Sequence, residues 1–173
     1  MNKKGFTLAE VVITLSILGI MSAISIPTFI SWLPKHRLQT SVRQIYDDLS
    51  LAKMWAVRSN SNAYITVNPA NETYTIFLDS NANGGLDAPP DIVLRNNVTL
   101  ENGVDISNTT FNGNTFIFNN RAMAATTTII PGQNDYDVRL TSPSGLYLGV
   151  RINIAGGIST IVSTNNGATW AIQ

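Results

Sequence analysis

Hydrophobic and polar positions follow three successive patterns along this chain. From Phe6 to Leu33 the residues are apolar on every side a helix could present, and Glu10 is the one ionisable residue among them. About 20 mostly apolar residues suffice to cross a bilayer as a helix, so this stretch predicts a membrane span. Beyond Pro34, Leu38, Val42, Ile45, Leu49, Ala52 and Ala56 recur at alternating steps of four and three. Such spacing is an apolar stripe of helical period. Lys35, Arg37, Arg43, Asp47, Asp48, Lys53 and Arg58 fall mainly off the stripe, and the turn formers from Ser59 to Asn62 end it. Phe6 to about Asn60 is therefore predicted as one nearly continuous helix of about 55 residues, roughly 80 Å long.

From Ala63 onward the pattern becomes that of strands. Ala63–Val67 and Thr73–Leu78 are β-branched and aromatic runs separated by Asn-Pro-Ala-Asn-Glu, a hairpin signal. Further strand candidates are Ile92–Arg95, Val98–Leu100, Thr115–Phe118, Thr126–Ile130, Val138–Leu140, Tyr147–Ile154 and Ile158–Val162, punctuated by Asn-Gly, Pro-Gly and Gly-Gly. A helix followed by short strands predicts an α+β fold, with antiparallel sheet packed on the amphipathic half of the helix. The chain divides into a leader (1–5), an apolar half-helix (6–33), an amphipathic half-helix (34–60) and a β-rich domain (61–173).

The order of segments at the start is informative. A secretory signal peptide places a small-residue cleavage site after its apolar region. Here a short basic leader, Met1 to Gly5, comes first, and no Ala-x-Ala-like site follows the apolar run. The apolar helix is expected to stay in the mature protein. Lys3 and Lys4 before the span fit a cytoplasmic N-terminus under the positive-inside rule. Glu10 needs an explanation, because a carboxylate within a membrane is costly and asks for a partner. One reading has it near the interface, reaching the headgroups. Another begins with a cut after Gly5, which frees an α-amino group on Phe6, about one helical turn before Glu10.

Lys-Gly-Phe-Thr-Leu-Ala-Glu followed by an apolar helix resembles the type III signal of type IV pilins and type II secretion pseudopilins, over Lys4 to about Pro27. The resemblance implies cleavage between Gly5 and Phe6 by a prepilin peptidase and N-methylation of Phe6. It also implies that Glu10 pairs with a neighbour's N-terminal amine during filament assembly. Gly19 and Pro27 fall where pilins carry helix-weakening residues. Since proline removes a helical hydrogen bond, a bend or melted turn is expected near Ser22–Pro27. More diffusely, Phe-Leu-Asp-Ser-Asn-Ala-Asn-Gly (Phe77–Gly84) and Phe-Asn-Asn-Arg-Ala-Met (Phe118–Met123) resemble the GspH/FimT group of minor pilins. That likeness implies two stacked antiparallel sheets beyond the helix. It also implies the bacterial inner membrane as location, with the β-domain extracytoplasmic, and other pilins as partners.

Composition narrows the functions further. Formal charge is zero, which gives no general attraction to nucleic acid or anionic membranes. There is no cysteine, so the domain holds together without a disulfide. Some FimT-like proteins bind DNA through a C-terminal Gly-Arg-x-Arg stretch. The corresponding Ala155–Ser159 has no arginine, leaving Arg95, Arg121, Arg139 and Arg151 either as a cluster or as a scattered surface. Asp79, Asn81, Asn83, Asp87 and Asp91 place oxygens as the first half of a calcium loop does, but position 12 is Pro90. A structural turn and a calcium site both stay open. No catalytic pattern is found and His36 stands alone, so no enzyme is expected. His36 reads as part of a polar collar at the membrane surface. Trp32, Trp55 and Trp170 read as an interfacial anchor, a helix–sheet contact and part of a terminal strand. A structural role in a pilus or pseudopilus, DNA uptake, and a single-pass protein that never polymerises remain as competing functions.

Overall fold

The computed structural model describes residues 5–87, 89–125 and 131–173. Helix α1 runs Leu8–Ser59 without interruption, 52 residues. Its start is fixed by a capping box: Thr7 Oγ1 accepts from the Glu10 amide at 3.3 Å, and the Glu10 carboxylate accepts from the Thr7 amide at 2.9 Å. Each bond satisfies an amide that the first turn leaves unpaired. Asn60 closes the other end in the left-handed conformation, φ 51°, with its amide bonded back to Ala56 and Val57. Of the bend or melted turn expected near Ser22–Pro27, the melted turn does not form, and the chain stays helical through Gly19, Pro27 and Pro34. Each proline removes a single N–H, and the bonds of the flanking turns carry the helix across the gap.

Sheet A has the order β3-β2-β1-β5, built from β1 (Asn62–Asn68), β2 (Thr73–Asp79), β3 (Ile92–Thr99) and β5 (Thr115–Phe118). Sheet B has the order β4-β6-β7-β8-β9, from β4 (Asp105–Thr109), β6 (Asp135–Thr141), β7 (Tyr147–Asn153), β8 (Ile158–Ser163) and β9 (Ala171–Ile172). All pairings among the described residues are antiparallel. The two candidates Ile92–Arg95 and Val98–Leu100 join into the single strand β3, whose register against β2 shifts between Tyr74 and Phe77. β4 had no clear signal, and β9 is the terminal strand expected around Trp170, one residue later. β4 buries one side chain, Ile106, and β9 has two residues. The candidate Thr126–Ile130 lies outside the described residues.

The predicted stripe is the buried face of α1: Leu38, Val42, Ile45, Leu49, Ala52 and Ala56 are all covered. They pack on Ile65, Ile76 and Leu78 of sheet A and on Val138, Leu140 and Val150 of sheet B. Between the sheets, the Phe116 ring meets Tyr136 at 5.5 Å and Phe118 at 4.9 Å. Trp55 is half-buried against this core under the Arg58 guanidinium. Trp170 sits just before β9, not within it, and packs edge-on against Tyr147.

Candidate functional site

The globular domain covers α1 only from its middle onward. Every large apolar side chain from Phe6 to Trp32 is exposed, and no described residue before Leu33 is covered by anything in the chain. An 18-residue window of this helix reaches a mean hydropathy of 2.1. Four of its hydroxyls turn back onto the helix itself: Thr14 donates to the Val11 carbonyl, Ser16 to Val12, Thr28 to Ile24 and Ser31 to Thr28. That arrangement removes polar groups from the surface, as an apolar environment requires. Glu10 is the exception. Its Oε2 accepts both from the Thr7 amide and from the Thr7 hydroxyl at 2.9 Å, within one turn of Phe6. His36, one turn beyond Trp32, stacks on the indole at 4.5 Å.

Two buried carboxylates hold the domain together. Asp48, 6% exposed, lies beside the apolar stripe of α1 and accepts from the Tyr74 hydroxyl and from Arg95 Nε at 2.8 Å. It ties the helix to β2 and β3. Asp137 of β6, 2% exposed, receives Nε and Nη2 of Arg151 at 2.8 and 3.0 Å, and Nη2 of Arg139 at 3.0 Å. Arg139 in turn lies over the Trp170 ring. Neither hub was read from the sequence. The available signal for Asp48 was an acid immediately before Leu49, beside the apolar stripe, whereas the Asp137 hub depends on the β6–β7 register that sets Asp137 opposite Arg151.

The loop after β2 is closed by its own amides. Asp79 Oδ2 accepts from the Gly84 amide at 2.9 Å, and Asn81 and Asn83 accept from the amides two residues on. Asp91 receives the Ser80 amide on Oδ1 and the Asp87 amide on Oδ2, and Asp87 receives the side-chain amides of Asn81 and Asn83. Asp79 Oδ1 is buried and without a hydrogen-bond partner. The Tyr64 phenol is pushed up first by burial and then by the charge of Asp79. Among the described residues no three His, Cys, Asp or Glu side chains come together to hold a metal ion. The five candidate ligands thus share one loop, and the contacts they make there are those of a turn.

Comparison with known proteins follows the same division of the chain. Residues 1–26 match the prokaryotic N-terminal methylation motif, and residues 41–156 match the type II transport protein GspH family. The chain belongs to the GspH family. It is a minor pseudopilin of the type II secretion kind, with the α+β fold its sequence predicted. A solved structure, the minor pseudopilin EpsH from the Type 2 Secretion System of Vibrio cholerae, is similar at 14% identity. The likeness covers 79% of this chain and 96% of that one, with a TM-score of 0.36. No curated protein matches the chain in sequence.

Within this GspH-family domain three of the four candidate arginines are tied up in ion pairs, while Arg121 is exposed on the turn after β5. Arg95 pairs with Asp48, and Arg139 and Arg151 pair with Asp137. The segment from Ala155 to Ser159 is a tight turn leading into β8, and Lys53 of α1 donates to the Gly156 carbonyl at 2.7 Å. Neither the family match nor this pairing supports DNA uptake. The family is structural, and the geometry shows hubs that hold strands to a helix.

Proposed function

We propose that this GspH-family protein is made as a precursor that a prepilin peptidase cuts between Gly5 and Phe6, with N-methylation of Phe6. Phe6–Leu33 then holds the subunit in the bacterial inner membrane, with the β-domain on the extracytoplasmic side. From there the subunit joins other pseudopilins in a helical filament, as an initiating or tip component of the secretion pseudopilus. The observation that carries this reading is the bare apolar half of α1. Fifteen large apolar side chains are left in water by the chain's own fold, and only a membrane or a bundle of like helices removes them from it.

Glu10 acts in the second of those environments. Its carboxylate stands at the helix start, where the freed Phe6 amine of a neighbouring subunit docks, and it exchanges its Thr7 bonds for that charge. Gly19 and Pro27 mark where the helix yields as it packs. Glu10→Ala leaves the incoming amine without its partner in a low-dielectric bundle, a costly loss. The variant is expected to be cleaved normally and to enter filaments poorly.

Mass spectrometry of filaments sheared from the native cell tests the reading. The expected result is N-methylated Phe6 at the start of this chain, together with secretion pseudopilins. Recovery solely from membranes, still carrying Met1–Gly5, would overturn it, and wild-type incorporation of Glu10→Ala would remove the role of Glu10.

A further inference from the structure

Helix α1 and strands β7 and β8 of sheet B enclose an open groove of about 960 Å³ just beyond the apolar half of the helix. One wall is a polar stripe of α1, His36, Gln39, Thr40, Arg43 and Asp47, spaced so that all lie on one helical face. The floor is apolar, from Val42, Leu148 and Ile158. Trp32 continues the same stripe toward the membrane and stacks on His36, so aromatic anchor and groove form one track. Tryptophan collects at the headgroup level of a bilayer.

Charge on this part of the helix is one-sided. Between Glu10 and Asp47 there is no acid, while Lys35, His36, Arg37 and Arg43 all fall there. Arg37 donates to the Asn102 carbonyl and so fastens the domain at this level. His36 and Arg43 remain exposed on the groove wall. Helical side chains lean toward the N-terminus of their helix, which here is the direction of the membrane. Arg43 lies about 10 Å along the axis from His36 at 1.5 Å per residue, and its long side chain leans back across that interval. Asp47, the acid of the lining, lies one turn further out.

We propose that this groove holds the headgroup of an anionic membrane phospholipid, its phosphate between His36 and Arg43 and its acyl chains running back past Trp32 into the bilayer. Basic residues beside a bilayer, here Lys35, Arg37 and Arg43, attract anionic lipid, and the aromatic anchor at the membrane end of the groove favours a lipid whose chains stay in the bilayer over a free anion. The bound headgroup sets the height and rotation at which the domain stands on the membrane before the subunit leaves it. The proposal rests on the membrane-spanning reading of Phe6–Leu33.

The full-length protein is placed in nanodiscs of equal phosphatidylglycerol and phosphatidylcholine, then released in mild detergent, and the retained lipids are counted by mass spectrometry. Retained lipid is expected to be several-fold richer in phosphatidylglycerol than the supplied mixture. The double variant His36→Gln, Arg43→Gln is expected to bring the ratio back to that of the mixture, while Lys35→Gln, off the groove, leaves it raised. All three side chains are exposed, and circular dichroism checks that the fold is kept. An unenriched wild type, or enrichment that survives in the double variant, overturns the proposal. Failure of the chain to insert into the bilayer would sink the membrane-spanning reading as well, whereas insertion without enrichment sinks this proposal alone.

Discussion

The buried Tyr74 hydroxyl donates to the Asp48 carboxylate at 2.6 Å and thereby ties the second strand to the long helix. Asp48 also receives Arg95 from the third strand. Asp48→Ala leaves a buried phenol and a guanidinium without their acceptor. Loss of one partner of a buried pair costs about 3–5 kcal/mol; since Arg95 keeps 44% of its side chain exposed, the expected loss is about 2–3 kcal/mol. Urea unfolding of the full chain in micelles, followed by tryptophan fluorescence, measures it.

The same bond has a pH signature. Burial first, then the hydrogen bond to Asp48, pushes the Tyr74 phenol well above its ordinary 10.0. The folded state therefore keeps a proton that the unfolded chain gives up. That contribution to stability is complete below pH about 10 and is lost as pH rises toward the folded value, at up to about 1.4 kcal/mol per pH unit. Tyr74→Phe is expected to flatten this alkaline slope. The Tyr64 phenol, raised in the same direction, keeps its share in both proteins. Urea midpoints from about pH 9 to 11 decide between equal and unequal slopes.

Asp137 is more deeply enclosed than Asp48 and answers two arginines at once. Asp137→Ala is expected to cost about 3–5 kcal/mol, because Arg139 and Arg151 are then left side by side with only the more exposed Asp135, 3.7 Å from Arg151 Nη1, as counter-charge. Asp137→Asn keeps an acceptor and is expected to lose less. Thermal melts of the two variants should rank in that order.

Gly156 has no room for a side chain. Its φ is +79°, and a Cβ there would stand 1.7 Å from the Ala122 carbonyl oxygen. Gly145 has a similar φ of +74° but open space around it. Gly145→Ala should cost about 1–2 kcal/mol, the ordinary penalty of the left-handed conformation. Gly156→Ala should cost clearly more, since it also displaces the turn that receives Lys53. Equal melting temperatures for the two variants would contradict the close approach at Ala122.

Asp91 closes the loop after β2 by accepting the Ser80 and Asp87 amides at 2.9 and 2.8 Å. Asp91→Ala leaves both without an acceptor and is expected to cost about 1–3 kcal/mol. A chelator should leave the wild-type melt unchanged, because amides already occupy the carboxylate oxygens of Asp91. A melting temperature raised by added calcium would return the loop to the metal reading.

Residues whose neighbours are close in sequence were legible from sequence alone. The stripe from Leu38 to Ala56 predicted the buried face of α1, and the alternating runs predicted most strands, because both rest on local periodicity. β4 was not legible, since its pairing with β6 is set by the partner strand and Ile106 is its one buried side chain. At Pro27 a local rule foresaw a bend or a melted turn; the turn stays helical, the cooperativity of a 52-residue helix carrying the chain across the missing N–H.

The sequence by itself determined the long helix, its bare apolar half, the family motif around Gly5, Phe6 and Glu10, and the change from helix to strands. These depend on spacing along the chain. Tertiary structure alone decided that Asp48 meets Tyr74 and Arg95, and that Asp137 gathers Arg139 and Arg151. It also decided that His36 and Arg43 wall a groove against β7 and β8. The members of each set come from elements whose pairing and register fix the distances, and a pattern with period 2 or 3.6 carries no information about which distant element lies opposite.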